Sequence, residues 1–176
     1  MKQVSKHGKL VSKKTDIEVT QEISWELARG KPYIAVTHDV HVTVWPEFID
    51  SKISQVGDLF VWVYHVRIDN KSQNVIKLVN RYWRIIDEKG IVQEVNGEGV
   101  VGEQPVITPN GSHQYSSGVH LRYPSGIMSG QYQMQRVDIV SNLDAAEVIG
   151  ASPTQNFNVK IPSFSLDVPG MQHMIN

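Results

Sequence analysis

The 176-residue chain contains no cysteine. That single absence removes disulfide frameworks, Cys–zinc sites, thiol nucleophiles and CxxC redox chemistry. No run approaches the roughly 18 to 20 apolar residues that a membrane helix needs, so no membrane association is expected. The amino terminus lacks the apolar stretch of a signal peptide. A cytoplasmic location is therefore expected, with an organellar one left open. Net charge is close to zero, at −1, but it is unevenly spread. Residues 1–14 carry Lys2, Lys6, Lys9, Lys13 and Lys14 and no acid, and removing those five from the 17 basic residues leaves 12 against 18 acidic ones. A short basic arm on a mildly acidic body reads as a solvated leader rather than a nucleic-acid grip. A nucleic-acid partner is not expected.

Catalytic signatures are missing too. The chain holds no H-E-x-x-H, no G-x-S-x-G and no ordered Ser–His–Asp set. Its acids are scattered, and Asp87-Glu88 belongs to a turn rather than to an acid/base pair. Neither an enzyme nor a cofactor is expected, and no residue is assigned a catalytic role. Seven histidines raise the question of metal. His38 and His41 are three apart, so on a strand they point to opposite faces. His65, His113 and His120 would need to converge across strands, and a zinc or cobalt site needs three or four ligands. No metal site is assigned.

What the chain does have is alternation. In YIAVTHDVHVTVWPEF, Ile34, Val36, Val40, Val42 and Val44 fall on one face, with His38 interrupting the row. This predicts a half-buried strand pair or one long bent strand. Pro46 removes a backbone donor, so the ladder should end or reach an edge there. In LFVWVYHVRIDN, Phe60, Trp62, Tyr64, Val66 and Ile68 share a face. VIKLVNRYWRIIDEKGIVQEV reads as two strands joined at Asp87-Glu88-Lys89-Gly90, where Gly90 supplies a positive φ. Further strands are expected in SHQYSSGVHLRY, GIMSGQYQMQRVDIV and FNVKIPSFSLDV. Turns recur about every ten residues, the rhythm of an all-β sandwich. Two segments differ. Thr15 and Glu18 fit a capping box, with Gly30 and Pro32 as a stop, which favours a helix, although Ile17, Val19, Ile23, Trp25 and Leu27 also fit a period of two. Residues 142–150 would allow one or two helical turns.

Gly97-Glu98-Gly99-Val100-Val101-Gly102 matches G-x-G-x-x-G, the pattern that cradles phosphate when a strand feeds a helix through it. Here the third glycine is followed by Glu103-Gln104-Pro105-Val106-Ile107-Thr108-Pro109, which cannot begin a helix. Glu98 and Glu103 add negative charge, and no Lys or Arg lies between Gly90 and Arg122. Gly97, Gly99 and Gly102 are therefore expected to permit a bend or close backbone approach. Ligand binding by these glycines, with a nucleotide or polyphosphate, is the alternative. Arg81-Tyr82-Trp83-Arg84 is the candidate partner-binding cluster. Arg81 and Trp83 share one strand face and Tyr82 and Arg84 the other, so one pair faces outward for cation–π stacking or one aromatic joins the core.

FVWVYHVRIDN, RYWRIIDEKG, EVNGEGVVGEQPVITP, YSSGVHL, GIMSGQYQM and VKIPSFSL occur in that order and closely resemble the ApaG domain, from about Thr37 to Pro169. The resemblance implies an immunoglobulin-like or fibronectin-III-like sandwich. Members of that family occur as small bacterial proteins and as domains of eukaryotic proteins, including an F-box protein and a partner of DNA polymerase delta. It implies a noncatalytic protein-interaction module, and it also carries an association with cobalt tolerance and magnesium efflux. It supplies no catalytic residues, and its singled-out motif falls on Gly97, Gly99 and Gly102. The expected organisation is an N-terminal extension over residues 1–32, a sandwich over 33–170 and a tail over 171–176. An insertion is expected around residues 139–153. The expected partner is a protein, and sandwich edges also allow a homodimer.

Overall fold

The period-two alternation drives the chain into nine strands, seen in a computed structural model that describes residues 31–138 and 152–170. The expected helix between Thr15 and Gly30, the turns at 142–150 and the C-terminal tail lie outside the described residues. In chain order the strands are β1 Tyr33–Thr37, β2 Val40–Lys52, β3 Leu59–Asn70, β4 Val75–Asp87, β5 Val92–Glu98, β6 Val106–Ile107, β7 Ser112–Leu121, β8 Gly126–Asp138 and β9 Ser152–Ser165. β9 thus begins inside the stretch expected to be an insertion. One sheet has the order β1-β2-β3-β7; the other runs β5-β4-β8-β9, with the short β6 also paired to β4. All pairings are antiparallel. The fold is the all-β sandwich that the strand rhythm predicts, of the immunoglobulin or fibronectin-III type that the resemblance implies.

The core lies between the sheets. Phe60, Trp62, Tyr64, Val66 and Ile68, one face of β3, are all buried there, as their alternation predicts. Trp83, Tyr132 and Phe164 close over them from the second sheet. Trp83 stands edge-on to Tyr64 at 5.2 Å and to Phe164 at 6.1 Å. Such tilted aromatic contacts add to the area burial that drives the sheets together.

One face assignment is corrected. Ile34 and Val36 do not share the core face with Val40, Val42 and Val44. They are 58% and 56% exposed, whereas the three valines of β2 are fully buried. The cause is a two-residue hairpin at His38-Asp39, both with positive φ (48° and 60°). Thr37 pairs with Val40 and Ile34 with Thr43, so even-numbered residues of β1 oppose odd-numbered ones of β2. A tight turn swaps parity, and a single alternating pattern cannot cross it unchanged. Pro46 behaves as expected. β1 begins opposite Val44, so beyond that point β2 pairs, among the described residues, only with β3.

Candidate functional site

The glycine loop is built against a bulge in β4. The register of β4 with β8 slips between Leu78 and Asn80, which leaves Val79 as the extra residue. Its carbonyl accepts from the Gly99 N–H at 2.7 Å and from the Gln104 side-chain amide at 3.1 Å. The Leu78 N–H donates to the Pro105 carbonyl at 3.0 Å. Between these anchor points, Val100 and Glu103 exchange both backbone hydrogen bonds around a two-residue turn, at 2.8 and 3.0 Å. Val101 and Gly102 at the tip have φ values of 48° and 80°. Gly99 has φ 55°, and a Cβ there would lie 1.9 Å from the Glu103 carbonyl oxygen.

No helix follows Gly102; the chain passes through Pro105 into β6, which pairs with Ile76 and Lys77 of β4. The charge relationship is the reverse of a phosphate loop. Arg81 donates through Nη1 to the carbonyl oxygens of Glu98 at 2.9 Å and Gly99 at 2.7 Å. Gly97 lies over the same guanidinium, 3.0 Å from where a Cβ would stand. The loop turns carbonyl oxygens toward a cation, and the Gly99 and Val100 N–H groups are taken by Val79 and Glu103. Two groups of candidates, the glycines and Arg81, are thus brought together.

The rest of the Arg-Tyr-Trp-Arg cluster divides by strand parity. Trp83 is in the core, and Arg81 shares its side at the border of the sandwich. From there the Arg81 charge favours the ionised forms of Tyr64, Tyr115 and Tyr132, although burial dominates and raises the pKa of all three. Tyr82 and Arg84 face outward. The Tyr82 hydroxyl donates to Glu94 Oε1 at 2.8 Å, and that bond to a carboxylate holds its proton more firmly.

Tyr82 sits in a surface feature that no sequence motif marks. A groove of about 570 Å³ is lined by Asn80, Arg81, Tyr82, Gln131, Gln133 and Asn158, with the Asn96–Glu98 segment as its wall. A second hollow, of about 520 Å³, shares Tyr82, Gln131 and Asn158 and extends to Arg84 and Lys160. The two form one trough across the outer face of the second sheet. A signal for it does exist in the sequence: Gln131, Gln133 and Gln135, like Asn156 and Asn158, alternate with residues that face inward.

The outer face of the first sheet holds a second constellation that no sequence motif announces. His65 of β3 bonds Ser116 Oγ through Nδ1 at 2.6 Å and Glu47 Oε2 through Nε2 at 3.1 Å. Ser116 is the direct cross-strand partner of His65. A serine, an imidazole and a carboxylate in series resemble a nucleophile relay, but that chemistry also needs donors for a developing oxyanion and a place for substrate. Neither hollow reaches Ser116. The histidines weighed as ligands do not converge. His120 pairs with Val61, four residues along β3 from His65, or about 13 Å away. His113 pairs with the core residue Ile68. Among the described residues no three His, Asp or Glu side chains could hold a metal ion.

Comparison with known proteins gives a consistent family. A family model described as the ApaG domain matches residues 51–136. The chain is 45% identical over 144 residues to Protein ApaG of Agrobacterium fabrum, covering 82% of this chain and 99% of the relative. It is 44% identical to Protein ApaG of Brucella suis biovar 1 with the same coverage of each. The crystal structure of the putative ApaA protein from Bordetella pertussis is similar at 33% identity and a TM-score of 0.61, covering 80% of this chain and 98% of that one.

Proposed function

The chain belongs to the ApaG family, and from that membership we propose that it is a noncatalytic binding module that engages a protein partner along the open edge of β5. One observation carries this reading. Among the described residues β5 pairs only with β4, through Ile86↔Val92 to Asn80↔Glu98, so its other side offers free backbone donors and acceptors. Val92 and Val95 on that strand are 45% and 41% exposed, with Ile91 immediately before them at 54%. An extended segment that adds a strand gains main-chain hydrogen bonds, and the apolar side chains supply anchorage. The absence of catalysis is part of the same reading. Among the described residues the most strongly shifted groups, Tyr115 and Tyr132, share a hydrogen bond inside the sandwich.

The test is affinity capture from native lysate with the whole chain, a chain lacking residues 1–32, and a Val92→Lys/Val95→Lys variant. The expected partner is kept by the truncated chain and lost by the lysine variant. A partner lost on truncation but kept by the lysine variant would place recognition in the extension and overturn the edge reading. Sedimentation of the purified chain decides whether the partner is a second copy. A concentration-dependent dimer abolished by the same two lysines would make it so.

A further inference from the structure

We propose that the trough across the outer face of the second sheet is a binding site for a neutral polyhydroxylated ligand, an oligosaccharide chain lying across β5, β4, β8 and β9 with Tyr82 at its centre. This goes beyond the protein-binding reading. It concerns a sheet face and not a strand edge, and the two stand or fall separately.

The backbone beneath the trough has nothing to offer. β4 and β8 are interior strands, paired on both sides over this stretch. Recognition there must come from side chains, and the side chains are carboxamides. The Asn80 amide donates to Gln133 Oε1 at 2.6 Å, which among the described residues leaves the Asn80 oxygen and the Gln133 nitrogen unused. Gln131 and Asn158 are exposed and have no side-chain hydrogen bond within the described residues. A carboxamide presents an acceptor and two donors side by side. Neighbouring sugar hydroxyls, each able to donate and accept, are the complementary pattern.

The electrostatics point the same way. Arg81 sends its side chain to the Trp83 side of β4, away from the outer face, and spends Nη1 on the carbonyls of Glu98 and Gly99. The remaining charges sit at the rims and differ in sign, with Glu98 at one end and Arg84 and Lys160 at the other. A polyanion would meet Glu98, and a cation would meet Arg84 and Lys160. A ligand without charge meets no penalty at either end. The exposed apolar side chains of this face, Val92 and Ile127, sit at its Ile86 end, beyond Arg84 and outside the lining of either hollow.

Tyr82 supplies the apolar contact. Its Cα partner on β5 is Asn96, but its hydroxyl reaches Glu94, whose own partner is Arg84. The ring therefore leans along the sheet toward Glu94, and Tyr82 lines both hollows. The C–H face of a pyranose ring can pack on such a surface, as an amphipathic aromatic allows. The volume of each hollow lies in the usual range of ligand sites.

The test uses the full chain and four neutral probes: cellohexaose, maltohexaose, xylohexaose and chitohexaose. Each is titrated by calorimetry and by NMR of the side-chain amides. At least one is expected to shift the Asn80, Gln131, Gln133 and Asn158 amide resonances saturably. Tyr82→Ala and Gln131→Ala should each weaken that probe by about tenfold or more. Both side chains lie on the outer face, so each variant should melt as the parent does; Gln131→Ala serves alone if Tyr82→Ala does not. Val92→Lys/Val95→Lys should bind the probe unchanged. The proposal is overturned if no probe moves these resonances or if both trough variants bind equally well. Movement of the same resonances only by a single-stranded oligonucleotide or a peptide would also overturn it.

Discussion

The Arg81 guanidinium donates to the Gly99 carbonyl at 2.7 Å, while the Gly99 N–H donates to the Val79 carbonyl of the same β4 segment. Gly99 is thereby held from both sides by the strand it folds back on. Its φ is 55°, and a Cβ added there would stand 1.9 Å from the Glu103 carbonyl oxygen, which leaves no room for any side chain. Glu103 cannot retreat without breaking its two bonds to Val100. Gly99→Ala is therefore expected to cost about 3 kcal/mol or more, by strain and lost loop contacts. Gly102→Ala is the comparison. It has φ 80° but open space around it, so only the left-handed backbone penalty of about 1 kcal/mol applies. Urea denaturation of both variants checks the order, and equal losses would show that the loop is not clamped at Gly99.

Val101 occupies the first tip position of the Val100–Glu103 turn with φ 48°, a conformation that β-branched residues avoid. Its side chain is largely exposed, so little packing offsets the strain. Asparagine tolerates this backbone and is favoured in two-residue turns with both φ values positive. Val101→Asn should raise stability by about 1 kcal/mol. Thermal melting tests it, and a lower midpoint would mean that the valine side chain makes a contact worth more than the strain.

Strand parity explains both what the sequence discloses and what it hides. The β3 row from Phe60 to Ile68 and the turn at Gly90 depend on neighbours in sequence, and both are where their patterns place them. The faces of Ile34 and Val36 depart from the pattern because a two-residue hairpin at His38-Asp39 reverses parity, and no apolar alternation records that. The glycine motif is legible as a bend, but its purpose depends on Arg81 and Val79, which lie some eighteen to twenty residues earlier and meet it only through the β4–β5 pairing. The Ser116–His65–Glu47 series spans three strands and has no local signature at all. The amides of the trough are present as a period-two row. They read as ordinary solvent-facing residues until the sheet sets β4, β8 and β9 side by side.

The paired hydroxyls of Tyr115 and Tyr132 tie the two sheets together inside the sandwich. Burial pushes both phenols well above the usual tyrosine value of 10.0. A phenol with a raised folded-state pKa keeps its proton where the unfolded chain has released it. Its contribution is complete below the unfolded value and is lost as pH rises above that value toward the folded one. Stability should fall steeply between about pH 10 and pH 11. Tyr132→Phe, which keeps the ring and removes one hydroxyl, should make that fall shallower. Urea midpoints of the two proteins across this range test the sign, and parallel curves would exclude the Tyr132 proton as a source.

His113 of β7 shows the opposite linkage. Partial burial lowers its pKa from 6.5, and the Glu103 carboxylate opposes the shift without cancelling it. Folding therefore favours neutral imidazole. The unfolded chain binds the proton first as pH falls through 6.5, so stability declines on acidification until the folded value is passed. Above 6.5 the contribution is complete. The His113 ring resonances should titrate with a midpoint below 6.5, and Glu103→Gln should move that midpoint lower still by removing the opposing charge. His113→Gln should flatten the acid side of the stability profile in this window. A parent midpoint at or above 6.5 would mean that burial does not control the proton at His113, and a midpoint that rises in Glu103→Gln would mean that the carboxylate does not oppose the shift.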